Sequence, residues 1–123
     1  MPDQRAPLAL YHILDAINDL LAVLDDLSAD ELSGDRIRCY AAERCIEILS
    51  EASRRIPNEW KNEHPSVPWQ SIAGIGNVIR HNYENVSPAI IVALRGGALD
   101  VLRTAVLALL DKYDLPGKPF RDR

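Results

Sequence analysis

The amino-acid sequence predicts an all-α fold, a single-domain antiparallel bundle of four to five helices, and three observations carry that prediction. Apolar residues recur at three- and four-residue spacing over long windows. No stretch shows the alternation of a half-buried strand. Proline, glycine and serine-proline pairs punctuate the chain where helices start and stop. The 123 residues make one domain's length, read as spanning 1–123 with a polar tail from about residue 116. With 47% hydrophobic residues the chain can bury a core, which excludes a disordered chain.

The elements follow in order. Leu10, Ile13, Leu14, Ile17, Leu20, Leu21, Leu24 and Leu27 form one stripe of a first helix. Ser28-Ala29-Asp30-Glu31 has the pattern of a capping box, and Gly34-Asp35 offers a second start signal, so a short turn precedes the second long helix. In that helix Ile37, Ala41, Cys45, Ile48 and Ala52 are expected on the core face, joined by Leu49 and Ile56, until Pro57 stops it. Its remaining charges, Arg36, Arg38, Glu43, Arg44, Glu47, Glu51, Arg54 and Arg55, read as a solvated face with i, i+4 pairs. Residues 57–68 are expected to be irregular and anchored by Trp60. Pro68 opens a third helix with Trp69, Ile72, Ile75, Val78 and Ile79 on its apolar side. Ser87-Pro88 opens a fourth segment, Gly96-Gly97 breaks it, and Leu99, Leu102, Val106, Leu109 and Tyr113 continue as a fifth.

Charge and composition narrow the function classes. Fourteen Lys plus Arg against eighteen Asp plus Glu leave a net charge of −4, which argues against a broad basic surface for nonspecific nucleic-acid binding but not against a local cationic pocket. Uninterrupted apolar runs reach only six residues, as in 89–94 and 105–110, so no membrane span is expected. The amino-terminal residues do not read as a secretory signal, and a cytoplasmic location is expected. Six residues of helix separate Cys39 from Cys45 by about 9 Å of rise, too far for a disulfide between them. Three histidines and two cysteines without paired ligand spacing predict no metal site, and no cofactor is expected.

One stretch concentrates chemistry, Ile72-Ala73-Gly74-Ile75-Gly76-Asn77-Val78-Ile79-Arg80-His81-Asn82-Tyr83. At about 100° per residue, Asn77 and His81 lie within roughly 40° of each other, so Asn77, Arg80 and His81 share a polar quadrant away from Ile72 and Ile75. An arginine beside a histidine suits phosphodiester chemistry, because one holds fixed positive charge and the other exchanges a proton near neutral pH. The other reading is a satisfied surface histidine and an arginine that complements the helix dipole.

This stretch resembles the motif of the HEPN superfamily, specifically HepT-like proteins, in which an Arg, four intervening residues, a His, any residue and a Tyr close an internal helix. His81-Asn82-Tyr83 matches the His-x-Tyr portion, and Asn77 matches the residue that commonly follows the family's Arg. Arg44-Cys45-Ile46-Glu47-Ile48-Leu49-Ser50-Glu51-Ala52 is similar to the family's second-helix signature, and Val67-Pro68-Trp69-Gln70-Ser71-Ile72-Ala73-Gly74 to its proline-tryptophan lead-in. The motif arginine is replaced by Gly76. Arg80 is the candidate substitute, about 40° away in azimuth and about 6 Å along the axis.

The resemblance implies a HEPN-like bundle and a toxin of a type VII-like toxin–antitoxin pair, an endoribonuclease that needs no metal and acts as a homodimer on RNA. The implied partner is a minimal (MntA-like) nucleotidyltransferase antitoxin that transfers AMP to the motif tyrosine. Carried over, His81 transfers protons, Arg80 stabilises charge on the phosphate, Asn77 orients His81 or the phosphate, and Tyr83 is the substrate contact and modification target. With Gly76 in place, a catalytically silent HEPN module that binds the nucleotidyltransferase is the alternative. An arginine restored at 76 is expected to raise activity if the site is only weakened.

Overall fold

The computed structural model describes residues 5–81 and 87–114, and at residues 5 and 78–81 the backbone only. Seven helices follow one another among the described residues: α1 (Arg5–Leu24), α2 (Ala29–Ser33), α3 (Arg36–Ser53), α4 (Asn58–Asn62), α5 (Trp69–His81), α6 (Pro88–Ala93) and α7 (Ala98–Tyr113). The described residues contain no strand, so the all-α prediction holds.

Helix α1 is the centre of the bundle, packed by α3 on one side and α7 on another. Its stripe works as the spacing predicts: Leu10, Ile13, Ile17, Leu20 and Leu24 are wholly buried. By length and composition Ala6–Leu24 could cross a membrane, yet half of that window is covered by the fold, as befits a core helix. Helix α7 answers it with Leu99, Leu102, Val106 and Leu109, all four in the core as expected.

Helix α3 departs from its expected face. Ile37 is 73% exposed and Tyr40 59%, while Ala42, Cys45, Ile46, Leu49, Ala52 and two serines, Ser50 and Ser53, are buried. The reason is that α3 lies between two neighbours, α1 and α5. A helix covered from two sides buries an arc centred between them, and that centre falls near Ile46, opposite Ile37. Small and polar residues are recruited into the arc, where apolar periodicity does not see them.

The four or five helices expected from the pattern become seven because two one-turn helices fill the stretches read as turn and loop. Helix α2 is held by a reciprocal capping box. The Glu31 N–H donates to Ser28 Oγ at 3.1 Å and the Ser28 N–H to Glu31 Oε1 at 3.0 Å. Helix α4 is held from outside, with the Trp60 ring stacked on Tyr113 of α7 at a centroid separation of 4.2 Å. The corner between α6 and α7 is fixed by backbone and arginine. Gly96 takes φ +80°, a left-handed conformation that lets α6 turn into α7. The neighbouring Arg95 donates to the carbonyls of Asp25 and Leu27, both at 2.9 Å, and so ties this corner to the end of α1.

Glu63, just after α4, accepts hydrogen bonds from Lys112 Nζ at 2.7 Å and from the Tyr113 hydroxyl. The Lys112 bond first, and then that of Tyr113, hold its carboxyl below the usual range. A carboxyl lowered in the folded state contributes stability above its unfolded pKa of about 4.3 and loses that contribution as pH falls through the folded value. Urea unfolding is therefore expected to find Glu63→Gln less stable than wild type at pH 7 and indistinguishable from it at pH 2.

Candidate active site

The helix that carries the candidate residues is anchored at its start. Pro68 stands just before α5, its carbonyl accepting the Ile72 N–H at 3.0 Å, and the Trp69 indole N–H reaches the carbonyls of His64 at 3.1 Å and Lys61 at 3.2 Å. Trp69 is buried, and Ile72 and Ile75 pack against the core. From there α5 stays helical through His81. Asn77 and His81 are therefore one turn apart on one face, about 6 Å in rise, with Arg80 in the same final turn. Asn77 is exposed at the surface of α5. The side chains of Arg80 and His81, and all of Asn82 and Tyr83, lie outside the described residues.

The centre of α5 is clasped to α3. The Ser50 hydroxyl donates to the Ala73 carbonyl at 2.7 Å and accepts the Gly76 N–H at 3.2 Å. Arg54 Nη2 donates to the same carbonyl at 2.8 Å. A Cβ placed on Gly76 would stand 2.5 Å from both Ser50 Cβ and Ser50 Oγ. Gly76 is thus a point of close helix approach. Of the arginines read as a solvated face, Arg54 instead bridges two helices.

These contacts also set direction. Position 73 meets 54 and 50, and position 76 meets 50 and Glu47, so the helices run antiparallel. The next turn of α3 toward the end of α5 carries Glu43. Glu43 and Glu47 are half-buried rather than solvated, and burial, followed by the neighbouring Glu47 carboxylate, pushes the Glu43 carboxyl above its usual range. Pattern reading missed this acidic pair because i, i+4 charges on a helix are usually solvent-facing.

Arg38 of the same set also leaves its helix, donating from Nη1 to the Val23 carbonyl of α1 at 2.9 Å, while other α3 charges pair within the helix. Arg44 pairs with Glu47 at 3.6 Å and Arg55 with Glu51 at 3.7 Å, at the edge of a polar groove of about 400 Å³ that His12 of α1 completes. Neither cysteine is set up as a nucleophile. Burial raises the thiol pKa of Cys39 and of Cys45, ahead of nearby carboxylates, which favours the neutral thiol. Among the described residues no group of His, Cys, Asp and Glu side chains is arranged to hold a metal ion.

A family model described as "Ribonuclease HepT-like" matches residues 13–109, from the first helix to the last and across the whole α3–α5 contact. The chain belongs to the HepT-like ribonuclease family. Its relatives include "Putative RNase MJ1380" of Methanocaldococcus jannaschii, 36% identical over 60% of this chain and 68% of the relative. "Putative RNase TTE0752" of Caldanaerobacter subterraneus is 33% identical over 67% of this chain and 73% of the relative. "Probable ribonuclease HepT" of Thermococcus cleftensis is 31% identical over 63% and 70%. No solved structure matches the chain significantly.

Packing explains why the family's arginine cannot simply be put back. An arginine at position 76 must first place its Cβ in the space of Ser50, whose own Cβ and hydroxyl belong to a buried helix face and cannot swing clear. This close contact works against the expectation that restoring the arginine strengthens the site. Gly76→Arg is expected to destabilise the fold by about 1–3 kcal/mol, the usual range for overpacking a core, and to leave RNA cleavage no higher than wild type. Urea unfolding and a cleavage assay on the same preparation check both.

Proposed function

We propose that this chain is an endoribonuclease toxin of a type VII-like toxin–antitoxin pair, cytoplasmic, metal-independent and dimeric. The observation that carries the reading is the unbroken run of α5 to His81, which keeps Asn77, Arg80 and His81 on successive turns of one helix in a chain of a ribonuclease family. In this mechanism His81 takes the proton of a ribose 2′-hydroxyl as its oxygen bonds to phosphorus. The P–O5′ bond breaks, and the leaving oxygen takes a proton from the His81 of a second subunit. A two-fold arrangement supplies both base and acid, which one histidine per site does not. Arg80 neutralises the charge that grows on the phosphate, and Asn77 orients the imidazole or the phosphate. Tyr83 contacts substrate and receives AMP from a nucleotidyltransferase antitoxin, which blocks the site by charge and bulk.

A second reading is favoured by Gly76, where packing excludes the family's arginine. On that reading the domain is a catalytically silent HEPN module that binds the nucleotidyltransferase.

Purified protein incubated with total RNA in EDTA separates the two. The ribonuclease reading expects a dimer by light scattering at micromolar concentration and cleavage without metal. It also expects losses on the order of 100-fold or more in both His81→Ala and Arg80→Ala, from the acid–base and charge-stabilising roles. Absence of cleavage by wild type supports the silent module. Near-normal cleavage by Arg80→Ala removes the substitution of Arg80 for the lost arginine.

Coexpression with a genomically adjacent nucleotidyltransferase is expected to add one or more AMP units by mass spectrometry, lost in Tyr83→Phe. Modification that persists in that variant, or maps to Tyr40 or Tyr113, excludes Tyr83 as the target.

A further inference from the structure

Two polar side chains, Ser50 and Ser53, are fully buried among the described residues, and they behave differently. The Ser53 hydroxyl donates to the Ser50 carbonyl at 2.7 Å, a bond that stays within the turn ending α3 and needs no second helix. The Ser50 hydroxyl leaves its helix altogether. It donates to one backbone atom of α5 and accepts from another three residues on, while its Cβ fills the space that a side chain at 76 would occupy.

A hydroxyl that bonds Ala73 O and Gly76 N together is compatible with one rotation and one axial offset of α5. A slip of a single residue moves that helix by about 1.5 Å and turns it by about 100°, which breaks both bonds. Arg54, four residues along α3, holds the same Ala73 carbonyl and reinforces the register from the adjacent turn. Position 80 lies four residues after Gly76, so the turn bearing Arg80 and His81 is the next one beyond this clasp.

We propose that Ser50, with Gly76 as its steric counterpart and Arg54 as a second clamp, is the positioning residue of this site. It sets the register of α5 on α3 and thereby where Arg80 and His81 meet the phosphodiester. The inference rests on the ribonuclease reading of that turn and adds to it a residue outside the motif, on a different helix, acting through backbone atoms alone.

The test compares wild type, Ser50→Ala and Ser53→Ala. Ser50→Ala keeps the Cβ and removes both interhelix bonds. Ser53→Ala removes an equally buried hydroxyl that touches only its own helix. Because displacement of a reacting group by about 1 Å can lower rate on the order of 100-fold, Ser50→Ala is expected to lower kcat at least about tenfold with KM within about twofold, and Ser53→Ala to change neither. Ring-proton NMR supplies a readout independent of cleavage, since His12, His64 and His81 are the three histidines of the chain. Ser50→Ala is expected to move the His81 ring-proton resonances while those of His12 and His64 stay in place. A His81 signal and kcat unchanged in Ser50→Ala overturn the proposal. So does a shift of all three histidines together, the mark of general loosening. If wild type cleaves no RNA while Ser50→Ala moves His81 alone, the ribonuclease reading fails and the positioning role stands.

Steric pairing is checked with Gly76→Ala, whose Cβ meets Ser50 at 2.5 Å. It is expected to lower the thermal midpoint in the wild-type background and to do so much less in Ser50→Gly, where the opposing Cβ is gone. Equal effects in the two backgrounds remove Gly76 as the counterpart of Ser50.

Discussion

The absence of a Cβ at Gly76 governs how the site-bearing helix sits in this protein. Glycine in a helix interior is unfavourable by roughly 1 kcal/mol relative to alanine, so its presence there needs a packing reason, and Ser50 at 2.5 Å from the missing atom provides it. Close approach brings the Ser50 hydroxyl within reach of two backbone atoms and the Arg54 guanidinium within reach of one. Gly74, two residues earlier, has open space where its Cβ would be, and nothing in the structure explains that glycine.

The same constraint makes α3 the element that joins stability to function. One side of it completes the core around α1, through Ala42, Cys45, Ile46 and Leu49. The side toward α5 carries the serine clasp, and a turn further on the half-buried Glu43 and Glu47. The remaining strip carries the exposed Arg44 and Arg55, which pair with Glu47 and Glu51 of their own helix. Pairs of that exposed kind contribute little to stability, so what holds α3 is burial and the bonds to α5.

The position of a lost motif residue is informative for the family as well. A substitution of arginine by glycine removes a charge, but here it also removes a side chain from a helix contact.

The sequence by itself determined the helical class, the buried stripes of α1 and α7, the break at Gly96-Gly97 and the family, because periodicity, turn chemistry and short motifs are local properties of the chain. It also placed Asn77, Arg80 and His81 on one helix, since azimuth along a helix is arithmetic. Tertiary structure alone decided that Ile37 faces solvent while Ser50 and Ser53 are buried, that Arg54 spans two helices, and that residues 58–62 form a helical turn under Tyr113. Each of these depends on a second element arriving from far along the chain. The role of Gly76 is the sharpest case. Its sequence neighbours show a missing arginine, and only the approach of α3 shows that the space for any side chain is already taken.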